Sequence, residues 1–144
     1  MSAAETKRWV VDAGVVVKWY LHEPFSLDAL RLARRENDLL VPDLIYSQVG
    51  AVLWKRVKAN ELRREDAQRI ISNLRRLPLI TFASADLAPA AMEIATATAR
   101  SFNESLYFAL AMRENTQLVT GDHRWYGLVM TGPMKNHVKW LEDV

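Results

Sequence analysis

Two aspartates stand where hydrophobic runs stop. Asp12 follows "WVV" and Asp122 follows "LVTG". Carboxylates brought close together raise each other's pKa unless a cation compensates, and their oxygens suit a hard divalent ion such as Mg²⁺ or Mn²⁺. In an open parallel sheet, ligands bind beyond the carboxyl ends of the strands, so a strand-end pair of acids is a candidate metal site. Each Asp also fits the start of a helix, accepting from the first free amides. For either residue alone that capping role is the commoner one, and the two roles are compatible. Nucleophilic catalysis has no comparable candidate. His22, His123 and His137 lack any triad context with a Ser or Thr, and they read as surface or loop residues, with only His123 adjoining one of the acids.

The elements that must position these acids are short. Apolar runs suited to buried strands occur at 9–11, 39–41, 78–82, 117–120 and 137–140. Between them lie segments of helical period. Ser26 is placed to cap a helix over "LDALRLARRE". Residues 43–59 repeat Leu44, Ile45, Val49, Val52, Leu53 and Val57 at three- and four-residue spacings, and 63–76 do the same with Ile70, Ile71 and Leu74. A further helix is expected over 86–99, with Pro89 tolerable only in a first turn. Another covers 103–114, with Leu106, Phe108, Leu110 and Met112 as its apolar positions and Asn115 as its stop. Strands alternating with helices imply a parallel α/β sheet.

A chain of 144 residues fits one domain with its own core, without disulfides or a structural metal. The absence of cysteine excludes thiolate zinc sites and cysteine nucleophiles, and agrees with a reducing compartment. The start, "MSAAETKRWVVDAG", lacks a leader pattern, and no segment reaches the roughly 20 apolar residues of a membrane span. A cytoplasmic protein with no membrane partner is the expectation. The balance of 19 basic against 17 acidic residues is too even for charge alone to argue for nucleic acid. Basic residues do gather in "KRVKANELRR" and in pairs at 34–35 and 75–76, chiefly as solvated helix faces.

Four stretches carry a family resemblance: "VVDAGVVVKWYLHEP" (10–24), "VPDLIYSQVGAVLWK" (41–55), "NESLYFALAMRENTQLVTGDHRWY" (103–126) and the closing "VKWL" (138–141). In their order and spacing the chain resembles the PIN-domain nucleases, specifically the VapC-like toxins of type II toxin–antitoxin systems, over nearly its whole length. The resemblance implies a single PIN-like domain over 1–144, a three-layer α/β/α fold with a central, mostly parallel sheet. It implies a metal-dependent endoribonuclease toxin, with RNA as substrate, a cognate antitoxin as partner and a homodimer as the assembly. It also implies four acidic positions around Mg²⁺ or Mn²⁺. Asp12 matches the first and Asp122 the last, with Thr120 as an orienting hydroxyl.

The other two positions depart from the family pattern. The Glu expected six residues after the Pro that opens the third helix, here Pro42, is Gln48. The Asp expected two residues ahead of Leu106 is Glu104, which keeps the charge and adds a methylene. Ala51, where the family often has Asn, is a third difference. Asp12, Glu104 and Asp122 are thus the expected metal ligands, with Gln48 contributing a neutral carbonyl directly or through water, and reduced activity follows from the missing charge. The alternative is a catalytically silent PIN domain that binds antitoxin or RNA without cutting. A flavodoxin-like or receiver domain fits poorly, because Asp86 reads as the first turn of a helix rather than a strand-end acid.

Lys18, six residues past Asp12, is expected near the opposite side of the following helix, in packing or salt bridging. Lys55, Arg56, Arg113 and Arg124 are candidate contacts to an RNA backbone, and Trp125 or Tyr126 could stack on a base, although aromatic residues there are more often core.

Overall fold

The computed structural model describes residues 7–34 and 36–144. Arg35, in the basic pair at 34–35, and residues 1–6, in the N-terminal stretch read for a leader, lie outside the described residues. Among the described residues five strands form one sheet in the order β3-β2-β1-β4-β5, with every pairing parallel. The strands are β1 (Lys7–Val11), β2 (Asn37–Pro42), β3 (Ile80–Phe82), β4 (Leu118–Thr120) and β5 (Val138–Trp140). Each overlaps a run expected from the sequence. The helices of the first half are α1 (Ala13–Val17), α2 (Ser26–Leu32), α3 (Ile45–Lys58) and α4 (Arg64–Arg76); those of the second half are α5 (Ser84–Thr98), α6 (Phe102–Arg113) and α7 (His123–Met130).

Chain order walks from β1 to β3 in one direction, then returns across the sheet to β4 and β5 in the other. Right-handed crossovers therefore put α1–α4 on one face and α5–α7 on the opposite one. The three-layer α/β/α architecture implied by the family resemblance is the one observed. The strand order reverses between β1 and β4, so the crevice beyond their carboxyl ends is the place where this topology binds ligands.

The core lies on both faces of β1, whose Val10 and Val11 are completely buried together with Val15 and Val16 of α1. Helix α6 is buried over Ser105–Ala111 and rests on the sheet beneath α5. Its outer end differs from expectation, since Met112 is exposed rather than in the apolar set. In α3 and α4, Ile45, Val49, Leu53, Ile70 and Leu74 face inward as their spacing requires, while Ile71 turns out toward the groove between the two helices.

Helix ends were only partly readable. Asn115, at φ 51, stops α6 as expected, and Thr116 N donating to Ala111 O together with Asn115 N donating to Met112 O completes the Schellman pattern. Ser26, by contrast, is the first residue of α2 rather than its cap. Its hydroxyl donates to Leu21 O and accepts from Glu23 N, tying the preceding loop instead. Pro89 lies inside α5, beyond the first turn, so the helix tolerates a missing amide that the sequence argument assigned to its start. The start is held instead from the residue that follows β2, where the Asp43 carboxylate accepts from Ser84 N at 3.1 Å.

Candidate active site

The β1–β4 crevice opens into a cavity of about 410 Å³ whose walls include Asp12, Gln48, Glu104, Tyr107, Thr120, Asp122 and Trp125. The four expected site residues and the expected orienting hydroxyl therefore share one cavity, although they come from four separate segments of the chain.

Asp12 caps α1, its Oδ1 accepting from Val15 N at 2.9 Å. The carboxylate keeps some solvent contact at the cavity floor but is packed around by protein. Burial pushes its pKa up to about 6, and the nearby Asp122 charge adds to the rise, against the lowering effects of the Val15 and Gly14 amides and Lys18. Capping and an uncompensated charge thus coexist in one residue. Asp122 caps α7 in the same manner, its Oδ1 accepting from Trp125 N at 3.0 Å, and its side chain is exposed at the mouth. Thr120 is buried, and its Oγ1 accepts from Asp122 N at 3.1 Å, so it sets the acid through the backbone.

Gln48 projects from α3, and its Oε1 accepts a hydrogen bond from the Tyr107 hydroxyl at 2.5 Å. Burial, followed by the Asp12 charge, raises the Tyr107 pKa, which keeps that hydroxyl a donor. The neutral carbonyl that the sequence offers to a metal is therefore already engaged.

Glu104 lies in the first turn of α6, where Ser101 Oγ accepts from Glu104 N at 3.1 Å. One carboxylate oxygen accepts from the Trp125 indole at 2.5 Å, and the other is paired with Arg100 at 3.3 Å. Among the described residues, no three His, Cys, Asp or Glu side chains stand close enough to form a ready-made metal cluster. The donor set nevertheless fits a hard cation at Asp12 and Asp122: two carboxylates, one of them largely enclosed and lacking a counter-charge sufficient to hold its pKa down.

Sequence reasoning missed Tyr107, Arg100 and the indole of Trp125. Trp125 lies parallel to Phe108, ring centroids 5.7 Å apart, and Tyr126 packs on Trp140 at 5.7 Å, so both rings already have aromatic partners within the protein. The pattern "SFNE" (101–104), a Ser three residues before a Glu, could have identified Ser101 as the cap of the helix whose first turn carries Glu104. Nothing local in the sequence points to its partners. His123 is exposed and meets Trp140 edge-on at 5.2 Å.

Lys18 takes part in packing and a salt bridge as expected, but not from the far side of the helix. Because α1 ends at Val17, helical phase does not carry Lys18 to the far side. It lies near enough to Asp12 to favour its charge, while its amine bonds Pro24 O at 2.9 Å and pairs with Glu23 at 3.7 Å. Its stem crosses Gly121 so closely that a Cβ there would meet Lys18 Cε at 2.8 Å, so a larger residue beside Asp122 would have to displace the lysine stem.

An all-parallel α/β sheet with acids beyond the strands at its switch point defines a class of ligand-binding α/β domain. The PIN domain family model matches residues 9–128, and the chain belongs to that family. Solved structures agree in fold. PAE2754 from Pyrobaculum aerophilum superposes with a TM-score of 0.69 at 18% identity, covering 96% of this chain and 86% of that one. VapBC2 from Rickettsia felis, bound to a DNA fragment from its promoter, gives 0.64 at 15%, covering 92% and 98%. A toxin–antitoxin complex from Klebsiella pneumoniae gives 0.55 at 12%, covering 78% and 85%. No curated protein is significantly similar in sequence.

Proposed function

We propose that this chain is a metal-dependent endoribonuclease toxin of a toxin–antitoxin pair, acting at the β1–β4 crevice. The observation that carries the reading is Asp12, a carboxylate largely enclosed at the switch point, with its pKa pushed up to about 6 and Asp122 in the same cavity. Such a group is costly unless a cation completes it. Asp12 and Asp122 would hold Mg²⁺ or Mn²⁺, with Gln48 and Glu104 on the surrounding wall. When bound, the ion supplies a water of lowered pKa and neutralises charge on the scissile phosphate.

The chain's own residues do the rest. The amides of Val15 and Trp125 fix the two carboxylates in direction, and Thr120 fixes the turn that carries Asp122. For the RNA backbone, Lys55 and Arg124 are exposed and form no ion pair among the described residues. Arg56 and Arg113 are less available, since Arg56 pairs with Glu23 and Arg113 lies over the Phe82 ring at 5.8 Å. A protein partner is supported by the groove between α3 and α4, lined by Leu53, Trp54, Val57 and Ile71, with Trp54 59% exposed. An antitoxin segment and a second copy of the chain are the partners proposed, and the cytoplasm is the proposed location. Among the described residues no helix is long and apolar enough to cross a membrane.

The test is cleavage of a mixed RNA pool with Mn²⁺, with chelator, and with Asp12→Asn. Metal-dependent cleavage that the substitution abolishes is the expected result. No cleavage by either the parent or Gln48→Glu would instead assign the chain to the silent PIN domains.

A further inference from the structure

Glu104 differs from the other acids of the cavity in having a side-chain donor on each oxygen. The Trp125 indole holds Oε1 and the Arg100 guanidinium holds Oε2. Arg100 also stands 6.0 Å from the centre of the Trp125 ring, so the three side chains close on one another. The arrangement is not a pair within one helix, because Arg100 precedes α6 in the link from α5. That link turns at Ala99, which takes φ 57, a left-handed conformation unfavourable for a residue with a Cβ. Both partners are well sheltered, with side-chain exposures of 19% for Arg100 and 25% for Glu104. Trp125 is anchored in turn by its parallel packing on Phe108.

A guanidinium bonded to a carboxylate opposes a divalent ion twice, by occupying an oxygen and by adding like charge. Resting on the metal-dependent reading above, we infer that Arg100 and Trp125 form a latch that withholds Glu104 from the ion, leaving Asp12 and Asp122 as the resting ligand pair. Arg100 and Trp125 are then positioning residues that act through Glu104. The latch lowers resting metal affinity, and its release adds a third carboxylate to the site.

The experiment is Mn²⁺ titration by calorimetry on the full chain and on Arg100→Gln, Trp125→Phe, Glu104→Gln and Arg100→Gln/Glu104→Gln, with Asp12→Asn as the control for the site itself. Circular dichroism verifies the fold of each. Arg100→Gln should tighten Mn²⁺ binding about fivefold, the ratio corresponding to the loss of one ion pair, and Trp125→Phe should tighten it less. In the Glu104→Gln background, Arg100→Gln should tighten binding far less, by the relief of like charge alone. An equal gain in both backgrounds would reduce Arg100 to a distant charge and overturn the latch, as would weaker binding by Arg100→Gln, while loss of binding in Asp12→Asn would still uphold the metal site. Binding by no variant, or binding unaffected by Asp12→Asn, would overturn the metal-dependent reading and the latch with it.

Discussion

The two sides of the cavity treat a carboxylate in opposite ways. Asp12, at the end of β1, is largely enclosed, with two backbone amides and the Lys18 charge as its relief among the described residues, and its pKa is pushed up to about 6. Glu104, on α6, has an indole and a guanidinium on its two oxygens and is satisfied within the protein. The first arrangement stores free energy that a ligand can release, and the second has none to give. Acids that line one cavity are therefore not equivalent candidates for a metal, and the distinction lies in their partners rather than in their type.

The sharpest test of this contrast is to remove each charge without removing the oxygen. Asp12→Asn keeps an acceptor for Val15 N and should stabilise the metal-free chain. Because the folded pKa lies above the unfolded value of 3.8, ionisation of Asp12 costs nothing at low pH, costs progressively more as pH rises from about 4 to about 6, and is fully destabilising above that. The gain should reach at most about 3 kcal/mol at neutral pH and disappear below pH 4, as read by urea denaturation in chelator at several pH values. A neutral-pH stability loss in Asp12→Asn would break the comparison. Glu104→Gln should do the reverse, destabilising by about 1–2 kcal/mol through the sheltered Arg100 left without its partner, measured by the same denaturation series. The smallest effect belongs to the wall between them. Tyr107→Phe removes the donor to Gln48 Oε1 and should cost about 1 kcal/mol, while a shift above about 3 kcal/mol would mean that Tyr107 holds more of α3 and α6 together than this one bond.

Much of this molecule was legible in its sequence, for reasons that also explain what was not. The five strands and the helices between them follow from apolar runs and three- and four-residue spacings, which are properties of neighbouring residues. Asp12 and Asp122 were legible because a strand end followed by a helix is also a local event. The latch on Glu104 joins α6 to α7 and to the link before it, and the Gln48–Tyr107 bond joins α3 to α6. Contacts between distant segments leave no periodic trace. Local rules also misled where tertiary contacts intervened. Ser26 had the right type for a cap but spends its hydroxyl on the loop before it, and Pro89 stands within a helix whose start is secured by Asp43, just after β2.

The parallel pairing of Val10 with Leu118 carries a consequence for the order in which the molecule is made. Contacts so far apart along the chain close late in folding, since the entropy of the intervening loop must be overcome first. The segments bearing Asp12 and Gln48 leave the ribosome long before β4 does. A nascent chain therefore exposes Asp12 and Gln48 while the cavity still lacks the wall that β4, Asp122 and Trp125 supply, and the site is complete only once the segment through α7 has emerged.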